Sequence, residues 1–209
     1  MTLKQKYFID SHKGVTVIAV LLMMAYFNAW ENTAAWIYLA IHGTYGMLWV
    51  MKSQIFPDSN WEKPCSIWYG IFVIWGSLTL YWIPPFLLLW SGTQPPVWYL
   101  ALCVSMYSFG VFFHFAGDMQ KHTGMKLKPG KLITDGLMSL SRNINYFGEL
   151  LIYLAFALLA YTTWAVLPLV LFVIFYWTPN MLRKDKVLAK MEGYDQYKKK
   201  TKRFIPFIF

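Results

Sequence analysis

With 209 residues, 57% of them hydrophobic and only 14% charged, the chain falls well below the roughly 25% charged residues of soluble domains. Its length is that of one domain, and no hydrophilic stretch is long enough to fold separately. A net charge of +9 on a soluble protein would suggest nucleic acid, but here the charge is confined to loops between apolar runs, which argues for a membrane protein with no nucleic-acid partner.

The apolar runs lie at roughly 14–30, 33–51, 66–90, 96–116, 147–162 and 164–179. The longer ones approach the ~20 residues a helix needs to cross a bilayer, so the predicted fold class is an all-α membrane protein of about six transmembrane helices. All 19 Lys and Arg fall before the first run, between the second and third, between the fourth and fifth, or after the sixth. The opposite turns, near 31, 91–95 and 162, have none. By the positive-inside rule both termini face the cytoplasm or its equivalent in an organelle, a pattern shared by endoplasmic reticulum, mitochondrial and bacterial inner membranes. The first run is flanked by charge and lacks a small-residue cleavage site, so it reads as a retained span. Cys65 and Cys103 show no CxxC spacing, and neither a disulfide framework nor zinc is implied.

The second run holds IHGTYG, with His42, Thr44 and Tyr45. A helix–helix hydrogen bond, with glycines allowing close packing, is the plainer reading, and a proton-donor role for His42 or Tyr45 is the alternative. A polar loop follows at 52–64, and Pro84-Pro85 is expected to end or kink the third helix. In VFFHFAGDMQKHTG, His114, Asp118 and His122 recur every four residues and share a helical face. That face could ligate a metal, form a charged helix end near Lys121, or line a cavity for a polar cofactor; without a second ligand cluster, no metal is assigned. The basic loop MKLKPGKLITDG carries Lys126, Lys128 and Lys131 beside a Pro-Gly turn. It can be a solvated loop, a lipid head-group contact or a cradle for dinucleotide phosphates.

SRNINYFGELLIY (141–153) sets Arg142 one turn before a face made of Asn145, Glu149 and Tyr153, with Gly148 permitting close backbone approach. Polar groups at the mouth of an apolar run point to a functional site. Here they read as one wall of a cofactor or substrate pocket that opens to the basic side, with Arg142 as the anion partner. The tail from Arg183 onward mixes charge with Tyr194 and Tyr197 as an amphipathic interfacial segment, and the closing FIPFIF is expected to tuck back against the bundle.

NYFGE (145–149), the KPG loop before it, the apolar hairpin after it and the tail Tyr194, Tyr197, Thr201, Ile205, Pro206 together resemble the C-terminal half of the steroid 5-alpha-reductase family. The resemblance covers about residues 114–209 and divides the single transmembrane domain into N-terminal, substrate-side helices (1–113) and a cofactor-binding half (114–209). It implies a polar cofactor cavity near the basic, cytoplasmic-side face, holding NADPH through His114, Asp118, Lys121, Lys128, Arg142, Asn145, Tyr146, Glu149, Tyr194 and Tyr197. The implied reaction is hydride transfer to the beta carbon of a conjugated enone in an apolar, sterol-like or polyprenyl lipid. Two features depart from the family pattern: Asn143-Ile144 stand where relatives often have His-Pro or Asn-Pro, and the Glu and Tyr that polarise the ketone are not found. His42 and Tyr45 are the substitutes offered as catalytic residues. Isoprenylcysteine carboxyl and phospholipid methyltransferases share this architecture, so S-adenosylmethionine is the alternative cofactor. A catalytically idle relative serving as a subunit of a larger membrane complex is the third reading.

Overall fold

The computed structural model describes all residues, 1–209. Seven helical segments follow one another: α1 (Gln5–Tyr26), α2 (Thr33–Ile55), α3 (Tyr69–Ser91), α4 (Val97–Leu127), α5 (Ile144–Leu159), α6 (Thr163–Leu188) and the short α7 (Tyr194–Lys200). Four of them, α1, α3, α4 and α6, are long and apolar enough to cross a membrane, and α5 is a shorter apolar helix. The class is therefore the expected all-α membrane protein. α2 matches the others in length at 23 residues but is interrupted by polar side chains, including His42, Thr44 and Lys52.

One addition was not foreseen. Residues Thr2–Lys4 (β1) pair antiparallel with Pro64–Ser66 (β2), so the end of the expected polar loop is ordered as a two-stranded ribbon. Backbone bonds from Gln5 to Lys63 (3.0 Å) and from Lys6 to Trp61 (2.9 Å) continue the contact into α1. Glu62 takes Lys4 at 2.7 Å and Lys6 at 2.5 Å, which ties the strands through charge as well.

Helix limits also differ from the apolar runs. α1 begins at Gln5 rather than near 14, so Asp10, His12 and Lys13 lie within it, and His12 and Lys13 are buried. α4 runs 31 residues, to Leu127 rather than 116, well beyond the ~20 needed to span hydrocarbon. The proline pair does not end α3. It opens a last α-helical stretch, Ile83–Ser91, at positions where a missing N–H costs nothing. Upstream, α3 contains a π-helical stretch (Tyr69–Trp75) and a 3₁₀ turn (Leu80–Trp82).

The chain forms two compact units. The N-terminal unit, Met1–Ser105 with Leu154–Pro168, is cored by Val20, Met24, Tyr38, Leu88 and Phe156. Within it α1 and α2 press together at Gly43 and Gly46: a Cβ on Gly46 would stand 2.5 Å from the Lys13 carbonyl oxygen. The C-terminal unit, Met106–Tyr153 with Leu169–Phe209, is cored by Ile144, Ile152, Trp177, Met181 and Phe204. Its end tucks in through Phe204, with Ile205 and Pro206 half-buried, whereas Phe207, Ile208 and Phe209 remain exposed. The unit boundary at 105/106, and the return of 154–168 to the N-terminal unit, differ from the division at 113/114 read from sequence.

Candidate functional site

In the C-terminal unit, α4 and α5 meet backbone to backbone. A Cβ on Gly110 would lie 2.8 Å from the Gly148 carbonyl, and one on Gly117 would lie 2.9 Å from Ile144 Cγ2. Small residues at such a crossing let the helices approach and let short polar side chains reach across. His114 Nδ1 donates to the backbone carbonyl of Asn145 at 3.1 Å, which fixes the ring. Asp118, one turn further along α4, is buried. On α5 the Asn145 side chain is half-buried, and its carboxamide oxygen is sealed from solvent with no hydrogen-bond partner in the protein. The structure thus brings His114 and Asn145 together at one crossing, with Asp118 buried one turn further along α4. Tyr146 and Glu149 follow on α5, both half-buried, with Tyr146 against Trp177.

Arg142 behaves differently. The anion it meets is Asp185 of this same chain: Nε donates to Oδ1 at 3.1 Å and Nη2 to Oδ2 at 3.4 Å, while Nη1 donates to the Thr201 carbonyl at 2.6 Å. Arg203 Nε donates to Asp185 Oδ2 as well, at 2.8 Å. Lys184 caps the turn, donating to the Arg142 carbonyl (2.7 Å) and the Asn143 side chain (3.0 Å). Ser141 and Asn143 bond the carbonyls of Phe204 and Arg203, and the Arg142 N–H bonds that of Lys202. SRN is therefore the seam that sews the C-terminal tail to the start of α5, and Arg142 cannot serve as the ligand's anion partner without breaking it.

The tail tyrosines belong to the same seam. Tyr197 donates to the Met138 carbonyl at 2.7 Å, and burial pushes its phenol up to about 12. Burial, then the nearby Asp185 charge, also raises Tyr194. Asp185, Lys184 and Arg203 escaped the sequence reading, and Thr201 was singled out there only as part of the tail pattern. The available signal was Asp185 itself, a lone carboxylate in the basic run RKDK.

Next to this seam is an open groove of about 520 Å³, inside the 300–1,000 Å³ range of small-molecule sites. Gly130, Lys131 and Thr134 of the basic loop line it, opposite Gln196 and Lys200 of α7. The loop is held back against α4 by Gln120, which donates to the Asp135 carbonyl (2.8 Å) and accepts from the Leu137 N–H (2.9 Å). Lys128 is exposed and Lys121 half-buried, and neither lines the groove.

His42 and Tyr45 belong to the N-terminal unit. His42 Nδ1 pairs with the Tyr38 hydroxyl at 3.0 Å, and its ring stacks on Phe156 at 4.2 Å. Tyr45 is fully buried beneath the Lys13 ammonium, 4.4 Å from its ring centre. Both contacts fit the packing reading of IHGTYG. No group of three or more His, Cys, Asp and Glu side chains is placed to hold a metal ion, and His122 is half-buried at the end of α4.

These features define an α-helical membrane protein with a buried polar helix crossing and a basic groove in its C-terminal unit. The chain belongs to a family described as protein of unknown function (DUF1295), which matches residues 1–201. No curated protein matches it.

Proposed function

We propose that this is a multi-pass membrane reductase that uses NADPH to saturate a conjugated double bond in an apolar, sterol-like or polyprenyl lipid. The observation that carries the reading is Asn145: its carboxamide oxygen is sealed from solvent and has no hydrogen-bond partner in the protein, while its backbone carbonyl accepts from His114. Buried polar atoms nearly always find partners, so an orphan acceptor at a helix crossing marks a place for a ligand donor such as an amide or a sugar hydroxyl.

A dinucleotide suits the residues present. Asn145, with Asp118 and Glu149 near it, offers acceptors for amide and hydroxyl groups. The groove offers Lys131, Lys200 and the Thr134 hydroxyl to phosphate oxygens, and Glu192 in the same lining is suited to a sugar hydroxyl. Bound there, NADPH would supply the hydride. The chain's own part is positional: the Asn145 carbonyl holds the His114 ring, and the Asp185 seam fixes Asn145 at the first turn of α5. The apolar lipid reaches such a protein from the bilayer, and the basic loops keep both termini on the cytoplasmic side.

The test is a thermal-shift titration in detergent with NADPH and, separately, S-adenosylmethionine. At 100 times its dissociation constant a ligand stabilises the fold by about 2.7 kcal/mol. A shift with NADPH that is lost in Asn145→Ala and Glu149→Gln supports the reductase. A shift with S-adenosylmethionine alone moves the protein to lipid or isoprenylcysteine methyl transfer. Silence with both, from a folded sample, leaves a structural subunit of a larger membrane complex.

A further inference from the structure

Three histidines are buried in this protein, and two have obvious partners: His42 with Tyr38, and His114 with the Asn145 carbonyl. His12 is 2% exposed, and neither of its ring nitrogens has a hydrogen-bond partner in the protein. Its ring is nonetheless firmly held. It stacks on Trp82 at 4.9 Å and 22° and meets the edge of Trp75 at 4.9 Å and 77°. Thr16, one turn along α1, donates to the His12 carbonyl at 2.9 Å and accepts from the Trp82 indole N–H at 3.1 Å. The clamp is thus pinned from both sides while the imidazole nitrogens are left over.

The two indoles come from the irregular part of α3. Trp75 closes the π-helical stretch Tyr69–Trp75, and Trp82 closes the 3₁₀ turn Leu80–Trp82. Wide π turns are rare in soluble and membrane helices alike and collect at functional sites. Both indoles are half-buried, and their neighbours Ile71, Phe72, Val73, Leu80 and Ile83 are exposed on a helix apolar enough to sit in lipid. His12 is therefore one aromatic layer away from the face that α3 offers to hydrocarbon.

We propose that His12 is the binding group for an oxygen atom carried by a lipid, a ketone or hydroxyl oxygen that accepts from its ring N–H. The surroundings disfavour a cation: the Lys13 charge acts on both His12 and His42, and no carboxylate cluster is present to hold a metal ion. A neutral imidazole keeps one donor and one acceptor, which complements an oxygenated lipid. The inference goes beyond the reductase proposal: it concerns the N-terminal unit by itself and assigns the lipid oxygen contact there to His12 rather than His42 or Tyr45.

The experiment uses the full chain in nanodiscs, with Trp fluorescence and ¹⁵N-histidine NMR as readouts. The probes are cholest-4-en-3-one against 5α-cholestane, and geranylgeranial against the corresponding hydrocarbon. One hydrogen bond predicts about tenfold tighter binding of the oxygenated member of a pair, with a shifted imidazole nitrogen resonance. The pair that shows the preference identifies sterol-like or polyprenyl lipid. His12→Phe, which keeps a ring in the clamp, should erase the preference, and His12→Gln, which keeps a donor, should retain part of it. Equal binding of both members, a preference that survives His12→Phe, or a nitrogen resonance that reports water alone overturns the site. NADPH thermal shifts on the same sample separate the two proposals. A lipid preference without an NADPH response removes the reductase and keeps the site, and an NADPH response without a lipid preference does the reverse.

Discussion

Each unit of this protein takes cations out of water, and the groups packed against the charge differ between the two. In the C-terminal unit Arg142 and Arg203 converge on the carboxylate of Asp185, and every strong donor of Arg142 is matched by an oxygen. In the N-terminal unit the buried ammonium groups of Lys13 and Lys52 lie over aromatic faces: Lys13 is 4.4 Å from the centre of Tyr45 and 5.0 Å from that of Trp49, and Lys52 is 4.6 Å from Trp49. A buried ion pair is directional and fails badly when one partner goes. A cation–π contact is worth only about 0.5–2 kcal/mol and tolerates sliding. The comparison teaches where rigidity has been placed: the tail and the start of α5 are locked, whereas the α1–α2 contact is softer and is closed by glycines.

The largest break in this comparison comes from Asp185→Asn. The substitution keeps the shape and leaves two guanidinium groups, one of them 5% exposed, without their counter-charge. Removing one member of a buried pair costs about 3–5 kcal/mol. Thermal unfolding in detergent should show a large drop in midpoint, with the tail from Thr201 onward opening first to limited proteolysis. A midpoint unchanged from wild type would mean that the seam is ornamental to folding.

Much of the fold could be read from the sequence because hydrophobic runs and loop charges are written locally. All six long helices coincide with an apolar run, and the errors lie at polar ends. α1 reaches back to Gln5 because the β1–β2 ribbon, a pairing across some 60 residues, delivers the chain already ordered. The site was legible in part. His114, Asp118 and Asn145 stood out from helical spacing; His114 does bond the Asn145 carbonyl, and Asp118 is buried one turn along α4. Asp185 and His12 were missed for a common reason: the meaning of each depends on what tertiary structure sets beside it. A carboxylate among lysines looks solvated until Arg142 arrives from 43 residues away, and a histidine in a basic N-terminus looks exposed until two indoles cover it.

A smaller effect sharpens the softer half. Trp49→Phe keeps a ring of similar orientation but presents a weaker π face to both Lys13 and Lys52, and it also removes the indole hydrogen bond to Asp10. The expected loss is about 0.5–1 kcal/mol, several-fold less than for Asp185→Asn, and it should weaken as salt is raised only if the ammonium groups reach water. Chemical denaturation of the two variants side by side reads the ratio directly. Equal losses would mean that the aromatic faces carry the lysines as firmly as the carboxylate carries the arginines.

The smallest effect belongs to charges that remain at the surface. Glu62 holds the β1–β2 ribbon through Lys4 and Lys6, and those partners, Lys4 first, hold its carboxyl below the ordinary value of 4.5. Lys4 is raised above 10.5, chiefly by the same hydrogen bond. A depressed carboxyl contributes stability that is present above 4.5 and lost as pH falls through its lowered folded value; a raised ammonium contributes below 10.5 and loses it as pH rises through its raised value. The clasp should therefore tighten the ribbon from about pH 4.5 to 10.5 and release it outside that window, without moving the global unfolding midpoint. Protection factors for the ribbon amides, compared between wild type and Glu62→Gln at each pH, give the check. The two proteins should differ at pH 7 and converge below the folded value of Glu62. Equal protection of the two proteins at pH 7 would assign the ribbon's order to the backbone pairing of Leu3 with Cys65 rather than to charge.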